Sequence, residues 1–146
     1  MEEKWIAFRR RVENEPYACK MGIRLLEVDT GYALVEMEPR QDNLNLLGMT
    51  HGGAIFSLID EAFEISSNSH GNVAVALNMS VTYHQAPELN SVLRAESFEI
   101  HRSRRTATYE IKVRDAKGTL IASCSALVFR KQELLPFLPE EQLPPP

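Results

Sequence analysis

The chain has 146 residues, of which 44% are apolar, so the expected organisation is one domain with a substantial buried core. Its 20 acidic and 16 basic residues are mixed along the sequence and give a net charge of -4, which argues against nucleic acid or anionic lipid as a partner. The apolar runs are far shorter than the roughly 20 residues that cross a bilayer, and no signal-peptide core is visible, so we expect a cytoplasmic protein without membrane contact.

The first predicted element is an amphipathic surface helix over residues 4–15, which Pro16 helps to end. We take residues 1–21 together as an N-terminal helical segment. Two β-rich runs follow, residues 23–28 and 32–37, and an Asp-Thr-Gly turn separates them. This pattern predicts an antiparallel hairpin.

A loop and a long helix come next. Residues 39–50 mix turn formers with apolar residues without a sustained period, which predicts a partly buried loop of the kind that often carries function. Residues 52–68 form the most apolar helical pattern in the chain, entered through Gly52-Gly53 and closed near His70-Gly71.

The C-terminal half predicts four strands, residues 73–84, 91–101, 106–115 and 120–130, joined by turns as a four-strand meander. The element order favours an α+β fold in which a curved antiparallel sheet wraps around one long central helix. We expect a single domain over residues 1–146, with an extended, frayed Pro-rich tail over residues 132–146.

The central helix carries one carboxylate in an unusual position. At about 100° per residue, one side of the helix gathers Ile55, Leu58, Ile59, Ala62 and Ile65, and the opposite side gathers Ser57, Glu61, Glu64 and Asn68. Asp60 lies at the border, turned toward Phe56 and Phe63. It is either one more solvated residue of the polar face or a carboxylate with a chemical role.

The start of this helix favours a chemical role. The small residues of His51-Gly52-Gly53 leave backbone N–H groups open at the positive end of the helix dipole, which suits a developing oxyanion. Asp60 lies eight residues on, about 12 Å along the axis, too far to serve the same reacting group within one chain. We therefore expect the two to come from different subunits of a two-fold pair.

The stretch Asn45-Leu-Leu-Gly-Met-Thr-His-Gly-Gly-Ala-Ile-Phe-Ser-Leu-Ile-Asp60 resembles the signature of the phenylacetate-degradation type (PaaI-like) acyl-CoA thioesterases of the hot-dog superfamily. The predicted strand order is similar to that family over residues 15–130. The resemblance implies a hot-dog fold, hydrolysis of an acyl-CoA to free acid and coenzyme A, no cofactor, and a homo-oligomer, often a dimer of dimers.

The resemblance also implies roles for single residues. The Gly52 N–H would polarise the thioester carbonyl, with His51 bracing that turn and Asn45 holding or orienting the attacking water. Asp60 of the facing subunit would act as general base or nucleophile, and the sequence leaves both roles open. The resemblance also places Gly53 and Phe56 among the residues that bind the substrate.

Relatives often place a Ser or Thr on the strand after the helix, whereas this chain has Ala76 at the matching position. Asn78 and Ser80 are neighbours that could replace it. For the phosphates of coenzyme A, the predicted turn near residue 103 offers Arg104 and Arg105, although an ordinary charged hairpin loop has the same composition.

Other interpretations fit less well. No HExxH or CxxC pattern supports a metal, so none is expected, and Cys19 and Cys124 are interpreted as buried thiols. No GxSxG motif supports a serine hydrolase. A hot-dog hydratase would carry a His where this chain has Ile65. The second thioesterase branch carries its Asp near the N-terminus, and nothing before Gly22 resembles that motif.

From another class, a non-catalytic module that binds acyl-CoA or a small aromatic compound stays open, and Ala76 favours it.

Overall fold

The computed structural model describes residues 3–138. Two short helices come first, α1 (Glu3–Glu13) and α2 (Pro16–Met21), followed by the hairpin β1 (Ile23–Asp29) and β2 (Tyr32–Met37). A loop containing a 3-10 turn (Gln41–Asn43) leads to the long helix α3 (Gly52–Asn68). The last four elements are β3 (Asn72–Tyr83), β4 (Leu93–Arg102), β5 (Thr106–Asp115) and β6 (Leu120–Leu134).

The N-terminal segment differs in detail from the prediction. Pro16 does not only help to end the first helix; it occupies the first turn of a second one, where its fixed φ and missing N–H are tolerated. Gly22 closes α2 with a left-handed φ of 71°, and its N–H bonds back to the last helical carbonyls. The chain thus turns directly from α2 into β1.

The six strands form one antiparallel sheet in the order β1-β2-β4-β5-β6-β3. The predicted four-strand meander is therefore wrong for its first strand. β4 pairs with β2 rather than with β3, and β3 pairs with β6 at the far edge. Alternation in a sequence reports that a strand exists, but it does not report which neighbour the strand chooses.

Helix α3 packs against the sheet, and this interface is the core. The side predicted to face the sheet is buried in full: each of its five residues, Ile55, Leu58, Ile59, Ala62 and Ile65, is at most 5% exposed. Phe63 also belongs to the core and makes an edge-on contact with the Tyr109 ring, with centroids 5.5 Å apart. The curved sheet around one long helix matches the predicted α+β, hot-dog architecture.

The predicted polar side of α3 is not open to water as a whole. Ser57 and Glu61 are buried, because helix α2 packs against this side of α3. The Tyr17 hydroxyl, on α2, hydrogen-bonds the Ser57 hydroxyl at 2.8 Å. The periodicity of α3 could not show this second layer, since the covering residues come from another part of the chain.

Three further predictions need comment. Cys124 is buried as expected, but Cys19 is exposed on the short helix α2. β6 continues to Leu134, so residues 132–134 belong to a strand rather than to the tail, and residues 139–146 of that tail lie outside the described residues. Over the described range, every helix is too short or too polar to span a membrane.

Candidate active site

The start of α3 presents an unpaired backbone N–H. His51 is the N-cap, and its Nδ1 accepts the N–H of Gly53 at 2.7 Å. The N–H of Ala54 donates to the His51 carbonyl at 2.9 Å. The Gly52 N–H lies between these bonds, and no acceptor within residues 3–138 binds it. One open donor therefore stands at the positive end of the helix dipole, next to the peptide that His51 holds.

Tyr83, at the end of β3, forms a wall beside this donor. Its hydroxyl donates to the Gly52 carbonyl at 3.0 Å, and a Cβ added to Gly52 would lie 3.4 Å from its ring. Partial burial raises the pKa of Tyr83, so the phenol keeps its proton and remains a donor. Sequence reasoning missed Tyr83, because only the fold brings the end of β3 to the start of α3.

The loop before α3 places Asn45 near this turn. Its side-chain Oδ1 accepts the N–H groups of Leu47 and Met49, at 2.9 and 3.0 Å. The oxygen therefore shapes the loop, whereas the amide NH2 has no acceptor among the described residues. Asn45 and His51 line one cavity of about 630 Å³. Only the NH2 group is free to bind a water or a substrate oxygen there.

The same loop is more exposed than predicted. Leu46 and Leu47 are 104% and 77% exposed, and of residues 39–50 only Thr50 is buried. A short bridge between Leu44 and Thr50 and the bond from His51 N–H to the Asn43 carbonyl, at 2.7 Å, tie the base of the loop to α3. Two apolar side chains therefore project beside the cavity instead of into the core.

Asp60 lies far from the unpaired Gly52 N–H of its own chain. It is exposed on α3, about 12 Å along the axis from Gly52 by rise per residue. Surrounding protein removes part of its water, and this desolvation raises the pKa of Asp60; the negative charge of Glu15 raises it further. Of the two phenylalanines predicted to flank it, Phe56 is half-buried and keeps exposed surface, whereas Phe63 is fully buried.

Strand β3 places Ala76 and Asn78 on different faces of the sheet. Ala76 pairs with Val128, which is buried toward α3, and Asn78 pairs with Leu127 on the other face. A bulge between Ala76 and Asn78 produces this change, and Ser80 also lies on the face away from α3. Neither Asn78 nor Ser80 therefore shares the helix side with Ala76.

Arg104 and Arg105 are both exposed in the turn between β4 and β5. Arg130 holds this turn, since its guanidinium donates to the Arg104 carbonyl at 3.3 Å and its N–H donates to the Arg105 carbonyl at 2.6 Å. A cavity of about 380 Å³ is lined by Arg104 but not by Arg105; its lining also includes Asn72, Arg130, Lys131 and Gln132. Sequence reasoning missed Arg130 and Lys131, which reach this cavity from β6.

Comparison with known proteins places these features in a family. The sequence pattern of the thioesterase superfamily matches residues 47–122. A candidate esterase of Archaeoglobus fulgidus is 42% identical over 113 residues, which cover 77% of this chain and 73% of that protein. The acyl-coenzyme A thioesterase PaaI of Escherichia coli is 30% identical over 118 residues, which cover 81% of this chain and 84% of the relative.

Solved structures agree. The E. coli PaaI protein superposes with a TM-score of 0.85 at 27% identity, covering 90% of this chain and 96% of that one. A Streptococcus mutans protein bound to acetyl-CoA superposes with a TM-score of 0.74 at 26% identity, covering 77% and 91%. The matched range contains the start of α3, Asp60 and strands β3 to β5. The chain therefore belongs to the thioesterase superfamily and has its hot-dog fold.

Proposed function

We propose that this protein hydrolyses acyl-CoA thioesters. Water would add to the thioester carbonyl carbon, the C–S bond would break, and the products would be a carboxylic acid and the thiol of coenzyme A. The unpaired Gly52 N–H at the start of α3 carries this proposal, because a donor held open there fits the charge that develops on the carbonyl oxygen. The similarity to E. coli PaaI and to an acetyl-CoA-bound structure supports the substrate class.

The groups around Gly52 would prepare the donor before substrate arrives. His51 occupies the Gly53 N–H, so Gly52 alone is left to point at the carbonyl oxygen. Tyr83 donates to the Gly52 carbonyl, so His51 and Tyr83 together hold the Gly52–Gly53 peptide, which directly follows the donor. The Asn45 NH2 group would bind the attacking water or a substrate oxygen from across the cavity. A rigid donor needs no rearrangement during the reaction, which is the source of its catalytic effect.

The acid would come from a second copy of the chain. β3 is an edge strand of twelve residues, and its free edge and the exposed side chains of Val75 and Leu77 offer a surface for strand pairing. Antiparallel pairing of two β3 strands about a two-fold axis sets the α3 helices side by side. Asp60 of the partner would then approach Gly52, either as the base that removes a proton from water or as the nucleophile.

The same pairing suggests where coenzyme A lies. Antiparallel β3 strands set the Asn72 end of one chain beside the Tyr83 end of the other. The basic cavity that contains Arg104, Arg130 and Lys131 would therefore face the neighbouring chain's Gly52 turn. Three cations near one cavity suit the phosphates of coenzyme A. A dimer of two such dimers stays a prediction.

A second candidate, a binding module without turnover, rests on β3. Ala76 offers no hydroxyl on the helix side, and the nearby Asn78 and Ser80 lie on the other face. If the reaction needs a third polar group at that position, the chain would bind acyl-CoA without hydrolysing it.

One experiment separates the two functions. We expect the purified protein to release coenzyme A thiol from a panel of phenylacetyl-, acetyl- and hexanoyl-CoA, followed with a thiol-reactive dye. Asp60→Asn should lower kcat by about 10²–10⁴, the usual contribution of a general base, and more if Asp60 is the nucleophile. Asp42→Asn, on the exposed loop, is the matched control and should keep full activity. Binding of acyl-CoA by the unmodified protein without any thiol release would instead establish the binding module.

A further inference from the structure

Three carboxylates from two elements meet beside α3. Glu15 directly precedes α2, and Glu61 and Glu64 lie one turn apart on α3. One carboxylate oxygen of each residue lies within 4.8 Å of the other two. In the part of the chain that the structure describes, no lysine, arginine or histidine forms an ion pair with any of them. Three acidic groups are thus gathered without a compensating cation from the described residues.

Glu61 points into this cluster from a buried position. The residue is 4% exposed, and its Oε1 atom is out of contact with water and receives no hydrogen bond from the described residues. Leaving a buried carboxylate oxygen without a partner costs about 1–3 kcal/mol or more. This oxygen is therefore open to a ligand that the described residues do not supply.

Protons or a metal ion could satisfy it. Burial, followed by repulsion among these carboxylates, raises the pKa of Glu61 and Glu64 in the metal-free chain, so they hold protons more tightly than ordinary glutamates. Two protons would be needed to join the three carboxylates by hydrogen bonds. A cation binds all three at once.

We propose that Glu15, Glu61 and Glu64 form a binding site for a hard divalent cation such as Ca²⁺. Carboxylate oxygens are the ligands that such ions prefer, and Ca²⁺ binds them at about 2.3–2.6 Å. The three oxygens lie within 4.8 Å of one another, so one ion can bind all of them. Ca²⁺ accepts an irregular arrangement of ligands, whereas Mg²⁺ demands near-ideal octahedral geometry and gives up its water reluctantly.

The ion could reach the cluster from solvent. A cavity of about 480 Å³ between the N-terminal helices and the end of α3 is lined by Glu15 and Glu64, together with Asn68. Water in this cavity would complete the six to eight ligands that Ca²⁺ takes. The proposed site departs from the expectation of a metal-free chain, and the sequence alone does not suggest it because Glu15 lies 46 positions before Glu61. It does not depend on thioester hydrolysis.

The bound ion would fasten the start of α2 to α3. Glu15 lies at the junction between α1 and α2, and α2 packs against the side of α3 that carries Glu61. The ion would replace repulsion among three carboxylates by attraction, so it stabilises the folded chain by mass action.

The test uses the whole chain after dialysis against a chelator. Calorimetric titration with CaCl2 should show one site per chain, with weaker binding of MgCl2, and the melting temperature should rise with CaCl2. Glu61→Gln and Glu64→Gln should each weaken Ca²⁺ binding by more than about 10-fold, since even an outer-sphere partner contributes 10- to 100-fold. Glu110→Gln, an exposed glutamate on β5, is the matched control and should bind as the unmodified chain does.

Two results would overturn the site: no binding of CaCl2, MgCl2 or MnCl2 at millimolar concentration, or equal Ca²⁺ affinity in the Glu61→Gln and control variants. If Glu61→Gln fails to fold, Glu15→Gln serves instead, because Glu15 is only half-buried. Retained Ca²⁺ affinity in that variant contradicts the proposal, and a loss comparable to that of Glu64→Gln supports it.

Discussion

Replacing Gly52 by proline removes the backbone N–H proposed to bind the thioester oxygen and puts the proline Cδ on that nitrogen in its place. Gly52 is the first residue of α3, the position that proline tolerates best, because its N–H has no intrahelical acceptor. His51 has φ -62° and ψ 137°, a conformation that suits the residue before a proline. The variant should therefore fold and keep α3 while losing the donor proposed for the thioester oxygen.

The expected loss is large. Deleting one oxyanion donor lowers kcat by about 10²–10³, or about 2.7–4 kcal/mol of transition-state stabilisation. Gly52→Ala is the matched control, since it adds a Cβ that would lie 3.4 Å from the Tyr83 ring, an ordinary contact, and keeps the N–H. The kcat of Gly52→Pro should therefore fall at least 10²-fold below that of Gly52→Ala.

The assay is release of coenzyme A thiol at saturating acyl-CoA, with urea unfolding as the check on folding. The ratio of the two kcat values removes the effect of the added Cβ, which both variants carry, and reports the loss of the N–H together with the Cδ that replaces it. Equal kcat values for the proline and alanine variants would refute the role of this amide. The Asp60 proposal could still hold in that case, with another donor binding the oxygen.

Three further predictions concern assembly and stability. Leu77→Lys, on the exposed edge of β3, should convert a dimer into a monomer in sedimentation, and a monomeric unmodified protein would contradict the pairing itself. Phe63→Ala should lower the free energy of unfolding in urea by about 3–5 kcal/mol, because the ring is 1% exposed and packs on Tyr109; a loss below about 1 kcal/mol would show that the core collapses onto the space. Desolvation, with repulsion from nearby arginines, lowers the pKa of His70, so the folded state prefers the neutral ring. The contribution of His70 to the free energy of unfolding is therefore present above its pKa in the unfolded chain, about 6.5, and is lost as the pH falls below that value. The free energy of unfolding in urea should differ between pH 8 and pH 5, and this difference should shrink in His70→Gln but not in the exposed His101→Gln.

Local patterns predicted the elements well. Helix α3 begins at Gly52 and ends at Asn68 as expected, because small residues, a His N-cap and apolar periodicity all agree there. The β1-β2 hairpin and β5 also lie where alternation and turn residues place them. The bracing role of His51 came from the family resemblance, and the bond itself is local, since it joins residues two positions apart.

Predictions that depend on distant segments were less accurate. The predicted pairing of β3 with β4 was wrong, because a strand can pair at either edge of a growing sheet and alternation does not show which edge it joins. Burial of Glu61 and the contact of Tyr83 with Gly52 both depend on layers that form only in the folded chain. The bulge beside Ala76 reverses the side-chain alternation of β3, and no residue in that run signals it.

The brace at the start of α3 also fixes the tautomer of one imidazole. Nδ1 of His51 can accept the Gly53 N–H only with a lone pair, so the ring proton must sit on Nε2. An asparagine there would keep the accepting atom, whereas a lysine would offer donors alone and leave two neighbouring amides competing for one ligand oxygen. The ring nitrogen that carries no proton therefore decides which backbone N–H remains open to a ligand oxygen at the start of α3.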